Sequence, residues 1–114
     1  MQFTRVGNLF KVARITGPSH NLLGIEFRER TDPPSDDVGV EVVPAETDRT
    51  FLSSSEVRRE VLLGVADANE EFGTDFVVKR IEFSPTDSPP AETYRFLART
   101  IVDRLAKHQS FGLA

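Results

Sequence analysis

The residues best equipped for chemistry in this 114-residue chain are few. They are the pair Asp87-Ser88 within SPTDSPPAETYRF (84–96), the run Ser53-Ser54-Ser55, and two histidines, His20 and His108. Acyl transfer by a serine needs an imidazole to take its proton and a carboxylate to hold the imidazole. Asp87 and Ser88 with His20 of the TGPSHN turn are the nearest approach to that set, placed in two loops distant in sequence. Nothing local ties them together, and the serines have capping roles to fill. A small enzyme built on Asp87, Ser88 and His20 is therefore the third reading, behind two non-catalytic ones.

Metal chemistry has less to work with. There is no cysteine, which removes thiolate ligands, disulfides and cysteine nucleophiles together. Two histidines far apart give no zinc spacing. TDPPSDDVG (31–39) holds Asp32, Asp36 and Asp37, but lacks the alternating ligands and closing Glu of a calcium loop. The glycines are scattered singly, so no phosphate-cradling loop is expected. Glu70-Glu71 belongs to a solvated helix surface. No cofactor is expected, and the protein is expected not to be an enzyme.

The elements that must position these residues are two helices and a sheet. Ser53 and Glu56 have capping-box spacing at the start of one helix. Val57, Val61, Val65, Ala68 and Phe72 then recur at helical intervals, with Leu62 at the stripe's edge, and Gly73 supplies a left-handed stop. Gly64 inside this helix suggests close approach of a neighbour. The second helix is predicted to be capped by Ser88, with Pro89 at its first position. It buries Tyr94, Leu97, Ala98, Ile101, Val102 and Leu105. SPTDSPPAETYRF is thus read as a helix start, its hydroxyls explained by capping. Glu92, Arg95, Arg99, Asp103 and Lys107 lie opposite, with four-apart pairs Arg99–Asp103 and Asp103–Lys107.

Strands are predicted at 8–15, 22–29, 38–43 and 75–83, with residues 2–6 as an extension of the first. TDPPSDD and PAETDR are polar loops. The order βββαβα implies a single α+β domain over 1–114, a two-layer sandwich of about four mainly antiparallel strands with two helices on one face. No apolar run is long enough to cross a membrane and the N-terminus has no signal-peptide pattern, so a cytoplasmic protein without a membrane partner is expected.

Charge is uneven. Residues 1–24 carry Arg5, Lys11 and Arg14 and no acid; residues 91–114 sum to +2; residues 25–90 sum to −9. If the two ends meet, Lys11, Arg14, Arg95 and Arg99, with the outward Phe96, form a basic and partly aromatic surface suited to a protein or RNA backbone. The overall pI near 5.2 opposes nucleic acid. Leu63 falls off the core stripe of the first helix. Phe96 falls off that of the second, and cover by the N-terminal segment or by the C-terminal SFGLA is expected.

With this order in place, the chain resembles domain four of translation elongation factor G, a member of the ribosomal-protein-five-like group with a left-handed βαβ crossover. GIEF (24–27), the helix from Ser53, the strand 75–83, Asp87-Ser88, and Tyr94 with Leu97-Ala98 occupy the family's places over about residues 8–106. The departures are specific. TGPSHN replaces the family's glycine-rich tip hairpin, its His before Asp-Ser is missing, Pro89-Pro90 stand for Ser-Glu, and the aromatic is shifted by one. The resemblance implies a ribosome- or RNA-associated factor with tip loops at 16–21 and 84–88, containing Ser19, His20, Asp87 and Ser88. The tip letters themselves do not match the family. The first expectation is a small interaction module binding a protein partner or itself; the ribosome- or RNA-associated factor is the alternative.

Overall fold

The computed structural model describes residues 1–17, 19–33, 35–43 and 50–113. Its strands are β1 (Gln2–Val6), β2 (Leu9–Thr16), β3 (Ser19–Phe27), β4 (Gly39–Val42), β5 (Val78–Phe83) and β6 (Gly112–Leu113). The helices are α1 (Ser54–Phe72), between β4 and β5, and α2 (Thr93–Ala106), between β5 and β6. One six-stranded sheet runs in the order β4-β5-β3-β2-β1-β6. The α+β class and the two helices agree with the sequence; the strand count and direction need correction. Residues 2–6 form a strand of their own, because the two-residue Gly7-Asn8 turn pairs Val6 with Leu9. The β4–β5 and β1–β6 pairs are parallel, so the sheet is mixed. Parallel neighbours need a crossover, which α1 supplies for β4 and β5. The loop PAETDR (44–49) lies outside the described residues.

Alternation along the strands sorts the two faces of the sheet. Val12, Leu23, Ile25, Phe27, Ile81 and Phe83 point to the helices and merge with Val57, Val61, Val65, Ala68, Tyr94, Leu97, Ala98, Ile101 and Val102 in one core. The other face carries ions in place of a second helix layer. Lys11 pairs with Glu82, and Arg80 with Glu26 and Glu41, across β2, β3, β5 and β4. Phe3, Phe10 and Phe111 close the core beside β1, with the Arg104 guanidinium over the Phe3 ring.

Helix α1 follows its sequence signals. The Ser53 hydroxyl accepts the Glu56 N–H at 3.2 Å, and Gly73 at φ 67° ends the helix in the left-handed region. Helix α2 does not. It begins at Thr93 with Glu92 as its N-cap, later than the expected start at Ser88 and Pro89. A residue followed by proline is pushed out of the helical region, and both Ser88 and Pro89 are in that position. Winding starts only beyond Pro90, with Thr93 N–H donating to the Pro90 carbonyl and Tyr94 N–H to that of Ala91. No helix among the described residues is long and apolar enough to cross a membrane.

Candidate functional site

Ser88, released from capping, serves elsewhere. Its N–H donates to the His20 carbonyl at 3.1 Å and its hydroxyl accepts the His20 N–H at 3.2 Å. Asn21 donates from its side-chain amide to the Ser88 carbonyl at 2.7 Å. Asp87 is 1% exposed, and one carboxylate oxygen accepts both the Leu22 N–H at 2.7 Å and the Tyr94 hydroxyl at 2.8 Å. Its other oxygen lies 3.7 Å from His20 Nε2. The fold thus unites Asp87, Ser88 and His20, which sequence reasoning left untied, in a single cluster with Ser19 beside them in β3. That corrects the expected capping role of Ser88, while Ser53 keeps its own: long-range pairing between the β5–α2 loop and the start of β3 decides where Ser88 bonds.

The cluster holds the three residue types of a triad without its hydrogen bonds: 3.7 Å separates His20 Nε2 from Asp87, and the Ser88 hydroxyl is turned to the His20 backbone and not to its ring. It behaves as a clamp, fastening the β5–α2 loop to the β2–β3 hairpin. Two members escaped sequence reasoning. Asn21 carries no sequence signal, and Tyr94 reads as a core position and as the aromatic of the resemblance, with nothing to tie its hydroxyl to Asp87. Burial pushes the Tyr94 phenol well above its ordinary value, the Asn21 hydrogen bond opposes this, and the Asp87 charge adds to it.

The expected basic surface comes apart. Arg95 donates to Asp67 at 2.6 Å, and Arg99 bonds Glu71, at 3.0 Å through Nε and also through Nη2. These pairs lock α2 to α1, which run in the same direction because 67 and 71 meet 95 and 99 in order. The pair foreseen between Arg99 and Asp103 gives way to Glu71; Lys107 and Asp103 do pair, at 2.8 Å. Lys11 sits on the opposite face of the sheet, 3.4 Å from Glu82. Only Arg14 and Phe96 of the expected set come together, the guanidinium 5.8 Å from the ring centre. Phe96 stays 45% exposed, and Phe111 of SFGLA packs on Phe3 and Phe10, so the expected cover is not there. Leu63 is exposed, as its position off the stripe requires.

A cleft of about 610 Å³ lies between residues 28–33, with Ser35 and Asp36, and Asp75–Val77. Two of its charged side chains are engaged within the protein: Arg28 donates to the Asp37 carbonyl at 2.5 Å, and Asp32 takes Lys79 at 3.0 Å and the Glu29 N–H at 2.7 Å. Among the described residues, no three His, Asp or Glu side chains are placed to hold a metal.

No family model, curated protein or solved structure matches the chain.

The sheet ends at β4 on one side and at the two-residue β6 on the other, and β4 offers the longer outer edge. Val43 donates its N–H to the Phe83 carbonyl at 2.9 Å, so Glu41 and Gly39, in step with it, turn their backbone groups to β5. Val40 and Val42 turn theirs outward. Among the described residues no strand pairs with that side, and the Val42 side chain is 46% exposed.

Proposed function

We propose that the protein is a small, non-catalytic cytoplasmic module that binds a protein chain along the β4 edge. The observation that carries this is the outward set of Val40 and Val42 backbone donors and acceptors, flanked by apolar side chains. An open edge of this kind is a template for strand addition, in which main-chain hydrogen bonds give affinity and alternate side chains give selectivity. The Asp87 clamp fits the same picture as a scaffold element, because its polar groups are spent on holding two loops together.

Selection of extended peptides from a displayed library on the wild-type protein tests this. Binders are expected that lose affinity on Val42→Pro, which removes an outward N–H that β5 does not use. Binders indifferent to that change, or none at all, would refute edge recognition.

A second proposal is RNA or ribosome association, supported by the resemblance to elongation factor G domain four and by the exposed Phe96 ring beside the half-buried Arg14, on which a base can stack. Co-sedimentation with ribosomes over a salt series, compared with Arg14→Ala, tests it. Arg95 and Arg99 are poor choices there, since their removal would loosen α1 from α2.

A further inference from the structure

We infer that the β4 edge takes a second copy of this chain, in one antiparallel register centred on Val40. This rests on edge recognition as proposed above and names its partner. Two-fold antiparallel pairing of Gly39–Val42 overlaps most fully in two registers, one centred on Glu41 and one on Val40. The first sets Glu41 directly against Glu41 of the other copy, and like charges in facing positions oppose pairing. The second sets Val40 against Val40 and Val38 against Val42, with Glu41 facing Gly39. Val38, Val40 and Val42 share the helix side of the sheet, where Val38 and Val40 already pack on the core. Val40 points its N–H and C=O outward, so the two copies of Val40 would exchange both bonds as a hydrogen-bonded pair.

Charge selects the same register. Within the chain, Gly39 is level with Arg80 on β5. Across the junction, Glu41 of one copy would face Gly39 and, beyond it, Arg80 of the other. The chain already contains that device once. Lys11, Gly24 and Glu82 stand level on β2, β3 and β5, and Lys11 reaches over the glycine to within 3.4 Å of Glu82. Arg80 already holds Glu26 and Glu41 of its own chain, with Glu82 3.9 Å away, and the second copy's Glu41 would share the guanidinium with them. The Arg80 side chain leans along Gly39, where a β-carbon would lie 3.8 Å from Arg80 Cγ. Its Nε is used by Glu26 and its Nη1 by Glu41, while Nη2 makes no hydrogen bond among the described residues. Gly39 is therefore the gap through which Arg80 and the second copy's Glu41 meet. A four-residue edge falls well below the ~800 Å² per partner of a standard interface, so the dimer is weak and concentration-dependent.

Three measurements on the full chain test this. Sedimentation equilibrium is expected to give a monomer–dimer equilibrium that Gly39→Glu weakens at least tenfold, because the new carboxylate faces Glu41 of the other copy. The monomer has room for that side chain, so its thermal melt should be unchanged. Val40→Cys gives the cysteine-free chain a single thiol and should oxidise to a covalent dimer, facing Cα atoms in such a pair lying about 5.5 Å apart. Glu41→Cys should cross-link much less, since in this register residue 41 faces residue 39. A wild-type chain that stays monomeric to about 1 mM would overturn the inference. Dimers that ignore Gly39→Glu, or faster cross-linking through residue 41, would do the same. Library-selected peptides that still depend on the β4 edge in a strictly monomeric protein would leave edge recognition standing while removing self-pairing.

Discussion

Gly64 of α1 lies directly against the backbone carbonyl of Arg95 in α2. A β-carbon at residue 64 would collide with that oxygen and stand 3.0 Å from the Ala98 methyl. The ion pairs Arg95–Asp67 and Arg99–Glu71 close over the same crossing. In an isolated helix Gly→Ala is favourable by about 1 kcal/mol. Here Gly64→Ala should reverse that sign and destabilise by about 1–3 kcal/mol, because the obstacle is backbone and cannot rotate away. Urea denaturation followed by circular dichroism measures it, and a stabilised variant would mean the helices do not approach this closely.

Tyr94 is the chain's single tyrosine, and there is no tryptophan. Its folded-state pKa is raised above the ordinary 10.0, so the stabilisation is complete below pH 10 and is lost above it, where only the unfolded phenol ionises. Between the unfolded and folded values the expected slope is about 1.4 kcal/mol per pH unit. Absorbance of phenolate should therefore appear together with unfolding and not before it. Tyr94→Phe should flatten this part of the stability profile.

Asp87 and His20 should differ sharply on removal. Asp87→Ala leaves the Leu22 N–H and the Tyr94 hydroxyl without their acceptor, at a cost of about 2–4 kcal/mol. His20 is mostly exposed and 3.7 Å from its carboxylate, so His20→Ala should stay within about 1 kcal/mol. Chemical denaturation of the two variants separates them. Equal losses would give the imidazole a larger part in the clamp than its exposure suggests.

Asp67 has its pKa lowered first by the Arg95 hydrogen bond and then by the charges of Arg95 and Arg99. A depressed carboxyl contributes stability above its unfolded value near 3.8 and loses that contribution as pH falls through the folded value. Carboxyl-carbon NMR titration should find Asp67 below 3.8 in the wild type and near it in Arg95→Ala. An unmoved value would mean the pair is open in solution.

Local chemistry determined where α1 begins and ends: the Ser53 cap and the Gly73 stop act within one turn of their targets. The core faces of both helices and the close approach at Gly64 were equally legible, since periodicity of 3.6 and a lone glycine mark them. The α+β class followed from the order of elements. Strand pairing did not, because parallel partners such as β4 and β5 are separated by a whole helix, and the two-residue β6 carries too little pattern to register. The site was decided by tertiary structure for the same reason. Asp87 and Ser88 are ordinary capping residues until the fold places β3 beside them, and consecutive prolines then prevent the helix from starting at Ser88. Arg95 and Arg99 are a basic face only on an isolated helix; the acids of α1 neutralise them once the two pack. Composition alone determines how many charges the chain has, and tertiary structure decides which of them meet.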